Sequence, residues 1–129
     1  MLSIVTSVYT YRKHSHRVST VSWSTDGTSL ASAGKDTTVQ VWNPVNGDLP
    51  LTYTGHSTWV NEVTWSPINQ QIASASDDMT VQLWNAITGE TVLTYRGHTG
   101  WVYAVSWSPD GKSIASAGED GTVQVWDVT

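Results

Sequence analysis

The stretch that decides the fold runs from residue 98 to residue 127, HTGWVYAVSWSPDGKSIASAGEDGTVQVWD. Trp101 to Trp107 is an aromatic and β-branched run, and it stops at Ser108-Pro109-Asp110-Gly111, where Pro and Asp-Gly supply the dihedrals of a tight turn. Ser113 to Gly118 makes a second short strand, Glu119-Asp120-Gly121 turns the chain again, and Thr122 to Trp126 makes a third. No segment is long enough for a helix between them.

Outward from this stretch the same signals return at a fixed step. His14, His56 and His98 lie 42 residues apart, and so do Trp23, Trp65 and Trp107, then Asp36, Asp78 and Asp120, then Trp42, Trp84 and Trp126. Aligning 56–87 with 98–129 gives 16 identities in 32 positions, with no insertion. A fourth strand precedes each unit, at Ile4–Arg12, Leu49–Thr54 and Glu90–Arg96, with Tyr11, Tyr53 and Tyr95 in one register. The expected organisation is a single segment, 1–129, of three repeats at about 14–55, 56–97 and 98–129. Apolar residues occupy both faces of the strands, since Val123 and Val125 alternate with Trp126 while Ala115 and Ala117 alternate with Ile114. Such a sheet must be covered on both sides, and radial stacking of four-stranded sheets achieves this.

Composition narrows the function classes. The 129 residues carry 6 Lys and Arg against 11 Asp and Glu, a net charge of −5, with no Cys and eight Trp. That excludes a disulfide scaffold and a thiolate metal site, and it argues against a basic nucleic-acid binder. No run approaches the roughly 20 apolar residues of a membrane span. Met1 to Tyr9 has neither the basic start nor the long apolar stretch of a signal peptide, so a cytoplasmic protein is expected.

The repeat resembles the WD40 family. Gly55-His56 and Gly97-His98 match its Gly-His element, Trp126-Asp127 its Trp-Asp, and Ser106-Trp107-Ser108-Pro109-Asp110-Gly111 its first turn. The resemblance implies an all-β propeller of three four-stranded blades per chain. It also implies a structural tetrad in each blade: His14, Ser32, Asp36 and Trp42; His56, Ser74, Asp78 and Trp84; His98, Ser116, Asp120 and Trp126. Asn43 and Asn85 depart from the Trp-Asp pattern, Lys13 replaces the Gly before His14, and Pro67-Ile68-Asn69 replaces Pro-Asp-Gly.

Propellers typically close with four to eight blades, so three would leave two apolar faces in water. Residues 4–12 are therefore expected to complete the last blade of a neighbouring chain, head to tail. The closed ring would be nine blades as a homotrimer, favoured here because the eight Trp widen the wedge between blades, or six as a dimer. A truncated piece of a longer protein is the rival explanation.

Ser32, His14 and Asp36, and their two repeats, have the composition of a hydrolytic triad. A Ser held inside a strand and repeated once per blade reads instead as a structural staple, so no catalytic residue is assigned. No metal is assigned either, because His14 and His16 could share an ion only if His14 left its tetrad, and no calcium or phosphate loop surrounds Asp77-Asp78 or Glu119-Asp120. No cofactor, nucleic acid or membrane partner is implied.

In this family the rim of the central channel docks other proteins or peptides. The matching positions are Arg17, Ser19 and Lys35, then Trp59, Asn61 and Asp77, then Trp101, Tyr103 and Glu119. The expected function is a non-catalytic protein–protein interaction scaffold whose rim holds a protein or peptide segment, a basic one among the candidates. The alternatives are an engineered or recently amplified ring with no evolved ligand, and carbohydrate binding on Trp59, Trp101 and Tyr103.

Overall fold

A computed structural model describes residues 9–128 of the chain. Eleven strands form three antiparallel sheets, and no helix occurs among the described residues. The first sheet holds β1 (Val18–Trp23), β2 (Leu30–Gly34), β3 (Val39–Trp42) and β4 (Leu51–Tyr53) in that order. The second holds β5 (Val60–Trp65), β6 (Gln71–Ser76), β7 (Val81–Asn85) and β8 (Thr91–Tyr95). The third has only three strands, β9 (Val102–Trp107), β10 (Ser113–Gly118) and β11 (Val123–Asp127). The strands and turns expected from the third repeat thus recur in all three, with the same meander order. Among the described residues the sheets do not close into a ring.

The turn chemistry is visible in the backbone. Gly27 and Gly111 take positive φ where Asp-Gly ends the first strand of a unit. After the repeated Asp, Gly121 does the same, yet Thr37 (φ 70) and Met79 (φ 71) hold that conformation in the first two sheets. A side chain there costs about 1–2 kcal/mol. The turn persists because the Asp side chain fixes it: Asp36 Oδ1 accepts from Thr38 N (3.1 Å) and Asp78 Oδ1 from Thr80 N (3.0 Å).

Two apolar layers lie between the three sheets. One packs Ala31, Ala33, Val39 and Val41 against Val60, Val63, Trp65, Ile72 and Trp84. The other packs Ala73, Ala75, Val81 and Leu83 against Val102, Val105, Ile114 and Trp126. Contacts between sheets concentrate on the first strands, β1 and β2 against β5, then β5 and β6 against β9. The small Ala residues of the middle strands let the larger Val and Trp of the next sheet seat fully.

Among the described residues, the outer faces of the first and third sheets have no such cover. Val21 and Trp23 are 62% and 58% exposed, whereas their equivalents Val63 and Trp65 are 3% and 8%. At the other end Val123 and Val125 are 72% and 73% exposed, against 0% and 1% for Val81 and Leu83.

Of the strand expected over residues 4–12, the first five positions lie outside the described residues, and Tyr9–Arg12 are not in a strand. The sheet those residues would extend, the third, lies at the far end of the chain, so no free edge is available beside them. Tyr11 nevertheless stacks on Trp42 (4.1 Å, 7° between planes) and donates to Gln40 Oε1 (2.5 Å). Tyr53 treats Trp84 and Gln82 in the same way, and Tyr95 treats Trp126 and Gln124. In those two cases the tyrosine comes from the outer strand of the preceding sheet. Residues 9–12 therefore occupy, against the first sheet, the place of an outer strand belonging to a sheet before it.

Candidate functional site

Each sheet holds one buried polar cluster whose donors and acceptors pair with one another. A carboxylate only accepts, so Asp78 Oδ2 takes the Nδ1 proton of His56 (2.8 Å). An indole only donates, so Trp84 Nε1 gives its proton to Ser74 Oγ (3.1 Å). Ser74 Oγ also lies within hydrogen-bond distance of His56 Nε2 (2.6 Å). The first sheet repeats the chain through Asp36, His14, Ser32 and Trp42 (2.8, 2.7 and 2.9 Å), and the third through Asp120, His98, Ser116 and Trp126 (2.9, 2.8 and 3.3 Å).

These three carboxylates are held ionised. Burial by itself would raise the Asp78 carboxyl, but hydrogen bonds from His56 and Thr80 outweigh it and lower it to about 2. Asp36 is lowered by His14 and Thr38 against the same burial. Asp120 lies well below the ordinary carboxylate range, first through the hydroxyl of Thr122. No buried side-chain N or O atom among the described residues lacks a hydrogen-bond partner. Ser32, Ser74 and Ser116 are buried under the indoles, so the Ser-His-Asp trio does not present the accessible nucleophile that acyl transfer requires.

The cluster has a further layer that residue reading overlooked. Gln82 accepts from Tyr53 and donates through Nε2 to the Gly55 carbonyl and Thr80 Oγ1. Gln124 does the same with Tyr95, Gly97 and Thr122. A Cβ at Gly97 would lie 2.4 Å from both Gln124 Oε1 and the Tyr95 hydroxyl, which explains the glycine before His98. Lys13 stands at that position in the first sheet, where its ammonium reaches the Gly47 carbonyl (3.2 Å). Gln40, Gln82 and Gln124 keep the 42-residue step, so the period itself held the signal.

The nine rim positions divide by role. Ser19 Oγ donates to the Val60 carbonyl (2.6 Å), and Asn61 Nδ2 to the Val102 carbonyl (2.9 Å), so both bridge adjacent sheets. Lys35 places its ammonium 4.9 Å from the centre of the exposed Trp59 ring, beside Arg17. One sheet further on, Asp77 takes the position of Lys35, and Trp101 that of Trp59. Trp101 and Tyr103 meet edge to face (6.3 Å, 80°), and both are about half exposed. The Tyr103 phenol is raised, by desolvation first and then by the charges of Glu119 and Asp77, which places both acids beside the aromatic pair. Asn61 Nδ2 fixes Asp77 Oδ1 at 2.7 Å. The rim is thus basic over the first sheet and acidic-aromatic over the second and third.

Among the described residues no helix is long and apolar enough to cross a membrane. A family model described as WD domain, G-beta repeat matches residues 5–43, 47–85 and 89–127. Each match begins ahead of the repeated His and ends one residue past the repeated Trp. No curated protein matches the chain.

Proposed function

The chain belongs to the WD40 repeat family, and from that we propose that it is a non-catalytic protein interaction scaffold, which closes a ring with copies of itself and holds a cationic peptide segment on its rim. WD40 repeats generally mediate protein–protein interactions, and the exposed faces of the first and third sheets support the finer reading. One contrast carries it: Val21, Trp23, Val123 and Val125 are exposed at positions that the interior sheet buries. Apolar faces of this kind call for a partner of matching shape. Another copy supplies one, because its first sheet presents the face that β5 and β9 present to their own neighbours. The outer strand expected over residues 4–12 is proposed to complete the third sheet of that copy, beside β11. We propose the nine-bladed trimer, because Trp23, Trp65 and Trp107 add bulk between neighbouring sheets at their first strands.

Light scattering tests the ring directly. The expected mass is 42.3 kDa, three chains of 14.1 kDa each. A mass of 28.2 kDa, two such chains, establishes the six-bladed dimer, and 14.1 kDa at all concentrations overturns self-closure. Val123→Asp and removal of residues 1–12 are each expected to give 14.1 kDa from a chain that still folds.

The rim partner follows from the chain's own contact. Lys35 over Trp59 is a cation–π pair worth about 0.5–1 kcal/mol at an exposed site. At Trp101 the equivalent neighbour is Asp77, an anion, so the indole and the carboxylate together suit a Lys or Arg side chain brought by a partner. An arginine-rich peptide is expected to perturb tryptophan fluorescence, with Trp101→Ala or Asp77→Lys weakening its binding about tenfold while the mass is unchanged. Equal binding by both variants would remove the rim from the proposal. An unresponsive wild-type chain would favour a ring with no evolved ligand.

A further inference from the structure

The contacts between sheets inside the chain follow one offset, and carrying that offset past the third sheet specifies a junction. Ser19 reaches the Val60 carbonyl and Asn61 the Val102 carbonyl; Trp65 Nε1 donates to the Ser22 carbonyl and Trp107 Nε1 to the Thr64 carbonyl, both at 3.1 Å. At the rim, Lys35 of the first sheet reaches Trp59 of the second. One step beyond the third sheet, position 103 is Tyr, position 106 is Ser and position 119 is Glu. The residues they would meet, at positions 18, 23 and 17 of a following copy, are Val, Trp and Arg.

Resting on the ring reading above, we infer that the junction between copies is sealed at the rim by an ion pair between Glu119 of one chain and the partner subunit's Arg17. The indole of the partner subunit's Trp23 donates there to the Ser106 carbonyl, on the pattern of Trp65 and Trp107. The charge fits this junction alone. Within the chain the equivalent pairs are Lys35 with Trp59 and Asp77 with Trp101, neither of which joins opposite charges. The acidic side also carries Asp77 behind Glu119, while the basic side carries Lys35, whose N–H binds the Arg17 carbonyl (2.9 Å). The end faces therefore attract head to tail and repel head to head. An ion pair of this kind selects the register of assembly, while the apolar faces supply most of the affinity.

Charge exchange tests the pairing. Glu119→Arg sets like charges across every junction, and so does Arg17→Glu; each is expected to weaken association by about tenfold per junction. The double variant Glu119→Arg/Arg17→Glu is expected to restore the wild-type mass at wild-type concentration. Mixing the two single variants adds a second readout, because only alternating chains place opposite charges at every junction. A dimer recovers fully in the mixture. A trimer recovers only in part, since one of its three junctions must join like charges. Either recovery supports the pairing. Singles that assemble like wild type, or a double variant that stays dissociated, overturn it while leaving the ring intact. A wild-type chain of 14.1 kDa throughout removes the ring itself and this junction with it.

Discussion

Trp84→Ala is expected to lower the free energy of unfolding by about 3–5 kcal/mol, the largest effect of any single substitution in the chain. The Trp84 side chain is fully buried in the middle sheet, with its ring 4.3 Å from Tyr53 and nearly parallel to it. Truncation removes that stack, opens a void between the first two sheets, and leaves Ser74 Oγ without the indole proton it accepts at 3.1 Å. None of these losses can be relieved by collapse, because Tyr53 is also held by Gln82 and Thr91. Urea titration at fixed chain concentration, followed by far-ultraviolet circular dichroism, measures the change as a lower midpoint with an unaltered slope. Trp23→Ala is the control, costing under about 1 kcal/mol in a dissociated chain because Trp23 is largely exposed there. Similar losses for the two variants would contradict the packing described above.

Acid is expected to unfold the protein between about pH 4 and pH 2, and the tetrad carboxylates set that range. Asp78 titrates at about 2 in the folded chain against 3.8 as its ordinary value, so the unfolded state takes up the proton first. A depressed carboxyl contributes stability that is complete above its unfolded value and lost as pH falls through its folded one. For Asp78 this amounts to about 2 kcal/mol. Asp36 and Asp120 are shifted in the same direction, so the three losses accumulate over one interval. Asp78→Asn removes one titrating group. The variant should be less stable than wild type by about 2 kcal/mol at pH 7, and the two stability curves should draw together as pH approaches 2. A constant separation between the curves down to pH 2 would show that the His56–Asp78 contact does not control acid stability.

Much of the fold could be read from the chain because the repeat converts one reading into three. Pro109-Asp110-Gly111 locates a turn by local backbone preference, and the 42-residue step carries that assignment to sheets whose own turn residues, such as Pro67-Ile68-Asn69, are less informative. The tetrad residues were legible for the same reason, with the family resemblance supplying their pairing. What escaped depends on relations between sheets. Gln82 and Tyr53 are 29 residues apart, and nothing local to either indicates that they meet. Ser19 and Asn61 are polar residues on the first strands, and sequence alone cannot distinguish an open rim position from a bridge to the next carbonyl. The leading strand is a relation between chains, since pairing requires an edge, and Tyr9–Arg12 are not in a strand within one chain. Tyr11 finds its aromatic partner even so, since stacking on Trp42 needs only proximity.

The forward reach of each tyrosine bears on how such a chain can lengthen. Tyr53 and Tyr95 each leave their own sheet to cap the tryptophan and glutamine of the following one, 31 and 29 residues ahead. A tandem duplication of one whole unit therefore preserves every donor, acceptor and ring partner, wherever in the unit the copied segment starts. An insertion of any other length between His56 and Ser74 parts a tyrosine from its acceptor and a histidine from its hydroxyl together. Evolution by copying is accordingly confined to integral steps, and the absence of a single gap across three units is what that confinement leaves behind.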